Sequence, residues 1–279
     1  MMEYGINVRF FGRDIGLQRA AELVARAGFT QLDYTPYLLD EAWETSMKEA
    51  KAIFDAYGLT VHQTHAPFNR YGKYGDMHKT CLARCADATE FLGAKFMVTH
   101  GDEFDFANLE FTPEAALEYN HDYFLPWVER AEKSGYKMAF ETVFEESVKR
   151  RRFTSKEEEL MGLIKSFQSD SAVCCWDFGH AFVSFKKEAP NVIRRFGSLI
   201  QCTHLHDNTG VDAHQMPLTG DIDWKATTGA LREIGYNGIL CVEYAHGSIP
   251  EPLAESFIDL TYRSAKYVWV PESRVSRQT

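Results

Sequence analysis

Between Ile200 and Trp224 a short apolar run ends in His204, His206 and Asp207, and Asp212 and His214 follow at once. Imidazoles and carboxylates hold divalent cations and move protons near neutral pH, so crowding them into residues 204–214 points to metal or acid–base chemistry. On a strand, residues i and i+2 share a face, so His204 and His206 are expected to point the same way. A polar loop with histidines on its surface explains this window equally well. Partners elsewhere in the chain must decide.

Such partners recur at the ends of other apolar runs: His65 in Thr-His-Ala-Pro-Phe, His100 in Val-Thr-His-Gly, Glu141 in Ala-Phe-Glu-Thr, Asp177 in Cys-Trp-Asp-Phe-Gly-His, and Glu243 in Val-Glu-Tyr. Each alone has a plainer reading, as a helix-capping acid or a hydrogen-bonded core histidine. Agreement at strand ends three to eight needs a common cause, and a fold that gathers those ends in one place supplies it.

The elements that must position them read as strand-then-helix units. Strands are expected at Tyr4–Phe10, Gln31–Tyr34, Leu59–His65, Lys95–His100, Lys137–Glu141, Ala172–Asp177, Leu199–His206 and Gly238–Glu243, from short β-compatible apolar runs. Helices are expected at Ile15–Ala27, Leu38–Tyr57, Lys79–Leu92, Thr112–Ser134, Ser155–Phe167, Asn191–Phe196, Asp223–Ile234 and Glu251–Val268. Thr112-Pro113 reads as an N-cap followed by proline at the first helical position, and Ser155-Lys-Glu-Glu as a capping box. Eight such units with no compositional break predict a single α/β domain, a closed (β/α)₈ TIM barrel over residues 1–270, with 271–279 a polar tail that frays. A doubly wound open sheet is the competitor. A barrel puts reactive residues at the C-terminal ends of several strands, as here.

Composition narrows the function classes. A formal net charge of -10 opposes attraction to nucleic-acid phosphate or anionic lipid, and no basic stripe stands out beyond Lys149–Arg152, which reads as a solvated helix-entry loop. No apolar run approaches the roughly 18 residues of a membrane span. Cys81, Cys85, Cys174, Cys175, Cys202 and Cys241 include no Cys-x-x-Cys pair, so reduced core thiols in a cytoplasmic protein are expected.

Asp-x-x-His at 177–180, His-Leu-x-Asp at 204–207, Gly-Asp-Ile-Asp-Trp at 220–224 and Val-Glu-Tyr at 242–244 together resemble the xylose-isomerase-like TIM-barrel superfamily. That superfamily holds ketose 3-epimerases, hydroxypyruvate isomerase, inosose dehydratase and endonuclease IV. The resemblance implies that Glu141, Asp177, His204 and Glu243 hold one divalent metal; His204 is chosen over His206 because the family's ligand precedes the acidic residue by three positions. The family's usual Glu-Asn after strand five is Glu141-Thr142 here.

Three carboxylates and one imidazole make an oxygen-rich site suited to Mn²⁺ first, with Mg²⁺, Co²⁺ or Zn²⁺ acceptable. Beside a polarised sugar carbonyl, Glu141 and Glu243 would remove and return a proton through an enediolate, giving epimerisation or aldose–ketose isomerisation. His180 would donate to the developing oxygen or hydrogen-bond Asp177. His65, His100, His206, Asp212 and His214, together with His180 again, are left as substrate-binding groups or additional metal ligands. The loops after strands seven and eight, from Asn208 to Asp223 and from Ala245 to Pro252, lack Lys and Arg, so an unphosphorylated sugar or polyol is expected, bound by a chain that can self-associate. Phe68, Phe104, Phe144, Trp176 and Phe182 are candidate pocket walls. A dehydratase uses the same enediolate. His65, His100, His180, Asp212 and His214 also match positions that complete a three-zinc cluster in endonuclease IV, so a multi-zinc phosphodiesterase is the second class, and a non-catalytic or partner-dependent barrel the third.

Overall fold

A computed structural model describes residues 2–11, 13, 15–68, 76–101, 112–145, 152–244 and 249–269, with the side chains of Phe10 and Asp76 left aside. Eight strands are present: β1 (Tyr4–Asn7), β2 (Gln31–Asp33), β3 (Thr60–His65), β4 (Phe96–Thr99), β5 (Lys137–Glu141), β6 (Ala172–Asp177), β7 (Ile200–His204) and β8 (Leu240–Val242). Helices α1 (Val8–Phe11), α2 (Leu17–Ala27), α3 (Trp43–Ala56), α4 (Asp76–Leu92) and α5 (Pro113–Ser134) alternate with the first strands. Helices α6 (Glu157–Ser166), α7 (Phe178–Phe185), α8 (Ala189–Phe196), α9 (Trp224–Glu233) and α10 (Glu251–Trp269) follow. The parallel strands lie in one sheet in the order β7-β6-β5-β4-β3-β2-β1-β8, and with the alternating helices this is a (β/α)₈ TIM barrel. Strands β7 and β8 stand at the two ends of that order and are joined by a parallel bridge between Leu205 and Val242.

The chain divides into two compact units, one of residues 1–32, 53–60 and 177–279, the other of residues 33–52 and 61–176. In the first, β1 pairs with β8 through Gly5 and Cys241. A Cβ on Gly5 would stand 2.8 Å from Ile239 Cδ1 and 3.2 Å from the Gln31 carbonyl, so this close pairing needs glycine. Helix α2 buries Ala20, Ala21, Leu23 and Val24 and ends at Gly28, whose φ of 107° belongs to the left-handed region. The Tyr262 ring of α10 lies against that glycine and meets Phe29 edge-on at 4.9 Å.

In the second unit β5 pairs with β4 and β6, in register from Phe96↔Lys137 and from Met138↔Ala172. Every residue of β6, and all of β5 after Lys137, is buried, as expected of barrel strands covered on both faces. The Phe140 ring packs edge-on against Phe124 of α5 at 5.3 Å and stacks on Phe167 at 5.4 Å. The expected cap of α5 is formed: Thr112 accepts the Ala115 N–H at 3.1 Å, with Pro113 in the first turn.

Local differences from the sequence reading have physical causes. The first strand stops at Asn7 and the chain turns helical over α1. Helix α7 is an addition, and Asp177 both ends β6 and caps α7 by accepting the His180 N–H at 2.6 Å. The capping box at Ser155 does not form: Lys156 is the N-cap residue without a side-chain bond, and the Ser155 hydroxyl donates to Glu145 at 3.4 Å. All six cysteines are buried and outside any disulfide. No helix of the described residues is long and apolar enough to cross a membrane. Residues 271–279 lie outside the described residues.

Candidate active site

In the second unit His65 and Glu141 are the last residues of β3 and β5, and His100 comes one residue after β4. Glu141 is 1% exposed. Its Oε2 accepts from His100 Nε2 at 2.8 Å and lies 3.0 Å from His65 Nε2. His65 Nδ1 donates to the Ala66 carbonyl at 2.8 Å. On the far side of His100, Arg152 donates an Nη2–H to Nδ1 at 2.9 Å, while the Phe68 ring stacks on the imidazole at 4.7 Å. Burial, opposed by Glu141 and reinforced by the Arg152 charge, pushes the His100 pKa down to about 3, so the ring is neutral.

Arg152 departs from the solvated charge run expected of Lys149–Arg152. It is 1% exposed, with its guanidinium 6.0 Å from the Phe68 ring and 5.4 Å from Phe144. A hydrogen-bond acceptor and aromatic faces compensate its desolvation. Lys149, Arg150 and Arg151 lie outside the described residues.

In the first unit Asp177 and His204 end β6 and β7, and Glu243 follows β8 by one residue. His204 Nδ1 is 3.4 Å from Glu243 Oε2 and 4.0 Å from Asp177 Oδ2. The Asp177 carboxylate also accepts from His206 Nε2 at 3.0 Å. His206 stacks on His214 at 3.9 Å and presses against Gly179, where a Cβ would come within 1.9 Å of the imidazole; Asp-Phe-Gly-His therefore needs its glycine. Asp212 lies 3.7 Å from His180 Nε2 and 3.3 Å from His214 Nε2. Burial raises the Asp212 pKa, but the two imidazoles outweigh it and hold the carboxyl well below its usual range. Burial opposes protonation of His214 too, yet Glu243 and Asp212 raise its pKa to about 9.

Asp207, the acid of His-Leu-x-Asp, is a tether. Its carboxylate accepts the backbone N–H groups of Asn208 (2.9 Å), Leu218 (3.0 Å) and Ile222 (3.2 Å) and the Trp224 indole N–H at 2.8 Å. A Cβ on Gly220 would sit 2.4 Å from Asp207 Oδ1. Gly-Asp-Ile-Asp-Trp is thus the other half of the tie that shapes the loop before α9. The sequence signal was the spacing of the two motifs.

Of the aromatics marked as pocket walls, Phe68 and Phe144 flank Arg152, Trp176 is wholly buried in the core, Phe182 is half-buried beside Lys186, and Phe104 lies outside the described residues. Ligand atoms around one small divalent ion stand about 3 to 3.5 Å apart. The His204–Glu243 separation fits this, and the Glu243 Oε2 atom is buried with no hydrogen bond, as a metal-facing oxygen would be. Two further groups have ligand atoms within 4.8 Å of one another: His65, His100 and Glu141 in one unit, and His180, His206, Asp212 and His214 in the other.

Residues 21–262 match the model of the xylose isomerase-like TIM barrel family. The chain belongs to that family. A relative by sequence is the uncharacterized protein y4fM of Sinorhizobium fredii, 25% identical over 261 aligned residues, with 80% of this chain and 79% of the relative covered. Among solved structures, D-psicose 3-epimerase with D-tagatose from Clostridium cellulolyticum superimposes with a TM-score of 0.78 at 17% identity, over 97% of this chain and all of the other. An AP endonuclease of family 2 from Brucella melitensis gives 0.72 at 15% identity, over 92% and 96%. Both likenesses are of fold.

Proposed function

We propose that this xylose isomerase-like barrel is a cytoplasmic, divalent-metal-dependent epimerase or isomerase of an unphosphorylated ketose or polyol. The observation that carries the reading is the buried, hydrogen-bond-free Glu243 Oε2 beside His204, at the end of a strand as a proton-transferring carboxylate must be. The sugar epimerase of the same fold supports it.

In this reading Glu141, Asp177, His204 and Glu243 hold the ion, Mn²⁺ by preference. When bound, it supplies polarisation of the substrate carbonyl, which acidifies the neighbouring C–H. Glu141 and Glu243 come from different strands and act as the proton-removing and proton-returning carboxylates, general acid–base groups typically worth about 10²–10⁴-fold. His206 and the His180 N–H orient Asp177. The His180 ring, next to Asp212, donates to the substrate oxygen that gains charge when the proton leaves. The tether of Asp207 offers backbone N–H groups to its own carboxylate, and the described part of that loop carries no Lys or Arg for a phosphate.

The test is solvent exchange. Manganese-loaded protein in heavy water, given a panel of ketoses, is expected to place deuterium at the carbon next to the carbonyl, and Glu141→Gln or Glu243→Gln to abolish that incorporation while the protein stays folded. Full exchange in either variant removes that residue from the acid–base role, and loss of water from the product turns the reading to a dehydratase.

One observation favours a second reading, a multi-zinc phosphodiesterase: the two further ligand groups around His65 and His214. The net charge of -10 opposes a nucleic-acid substrate. Three zinc ions per chain by elemental analysis, with cleavage of abasic DNA, would replace the first reading by the second.

A further inference from the structure

The contacts of His100 separate these readings, because hydrogen-bond donors and acceptors around an imidazole fix which nitrogen carries the proton. Arginine has N–H donors and no acceptor. Arg152 Nη2 stands 2.9 Å from His100 Nδ1, so Nδ1 is the accepting lone pair and the proton of the neutral ring sits on Nε2. That Nε2 lies 2.8 Å from Glu141 Oε2, to which it donates. A metal-binding histidine is arranged the other way: its remaining N–H faces a carboxylate or carbonyl, and the opposite nitrogen offers its lone pair to the ion. His65 shows that second pattern, with Nδ1–H on the Ala66 carbonyl and Nε2 turned toward Glu141.

We infer that Arg152 is a positioning residue that locks His100 as an Nε2–H donor to Glu141, and so removes this imidazole from the metal ligands and keeps the His65–His100–Glu141 group from holding an ion of its own. The buried guanidinium and the Glu141 carboxylate then compensate each other through the ring between them. Phe68, stacked on His100 with a tilt of 6°, and Phe144 close the sides of the arrangement. One edge of Glu141 is thereby fixed by a neutral donor. Only the kinetic arm of the test below rests on the epimerase reading.

The experiment uses the full chain labelled with ¹⁵N, read by long-range ¹H–¹⁵N spectra of the histidine rings with and without zinc, with His100→Gln to identify the signal. Zinc per chain is counted after equilibrium dialysis. Wild type and Arg152→Lys, which keeps a donor, are expected to show a protonated Nε2 and a bare Nδ1 in both states. Arg152→Met is expected to lose that pattern and bind one further zinc, and adding His100→Gln is expected to take that zinc away. A purely structural arginine would lower stability without moving either readout. Zinc that strips the Nε2 proton in the wild type, or an Arg152→Met protein with unchanged tautomer and zinc count, overturns the inference. If Arg152→Met does not fold, the wild-type and Arg152→Lys spectra decide alone: a proton on Nδ1 in either refutes it. In the kinetic arm Arg152→Met lowers kcat about 10–100-fold, the usual effect of removing a group that orients an active-site residue, and Arg152→Lys less. No exchange in any variant with the tautomers as stated sinks the epimerase reading and leaves the inference standing.

Discussion

Asp177 shows why single residues of this site were legible in kind but not in role. It ends β6, caps α7 through the His180 N–H, accepts from His206 and lies 4.0 Å from His204 Nδ1. The sequence displays Asp-x-x-His and His-x-His as sets of ligand types. It does not display that His204 turns its Nδ1 toward Glu243 while His206 donates to Asp177, because that depends on β7 ending at His204 and on the space above Gly179. Arg152 follows the same rule: a charge run reads as solvated in the sequence, and only the folded chain shows the buried His100 acceptor for it. If His206 orients Asp177, His206→Leu removes the donor and keeps an apolar group against His214. Divalent-metal affinity is expected to fall about 10–100-fold, measured by competition with a chromogenic chelator. Unchanged affinity would leave His206 a packing residue.

Elements were readable where one physical signal dominated. Strands β5 and β6 have the bounds expected from apolar runs, and α5 carries its Thr112 cap and Pro113 start. Helix α7 was hidden because Phe178–Phe185 is apolar nearly all round and shows no 3.6-residue stripe, with its end set by Lys186 at a φ of 51°. The loop before α9 was visible as a motif but not as a mechanism. Four donors converge on the Asp207 carboxylate, so the loop ties the chain just after β7 to the first residue of α9. Asp207→Ala leaves buried donors without an acceptor, at about 1–3 kcal/mol each. Chemical denaturation is expected to show a loss of about 3 kcal/mol or more, with Asp207→Asn, which keeps one acceptor oxygen, losing less. A loss below about 1 kcal/mol would show that water replaces the carboxylate.

For the whole molecule, the eight strand–helix units and the acidic charge were legible because both are sums over many residues, whereas the protonation of buried imidazoles is a property of the folded interior alone. His62 illustrates it. It is 5% exposed beside Phe96, its Nε2 is buried without a hydrogen bond, and burial with the Lys95 charge lowers its pKa to about 4, Asp33 opposing. The unfolded chain binds a proton at His62 below about pH 6.5, the folded chain only below about 4. Between those values the unfolded state holds more protons, so folding stability falls as pH falls, by about 1.4 kcal/mol per unit from this group and about 3 kcal/mol over the window. Below the lower value both states are protonated and the loss is complete. His100 adds to the same slope from inside the candidate site, so the wild-type curve cannot isolate His62; the difference between wild type and His62→Leu can. Unfolding free energies measured by urea titration from pH 7 to pH 4 are expected to converge on those of His62→Leu at the neutral end and drop below them toward the acid end, apart from a constant packing offset. Parallel curves would mean that His62 titrates alike in both states and that the acid sensitivity of the fold lies with the carboxylate and imidazole groups of the site.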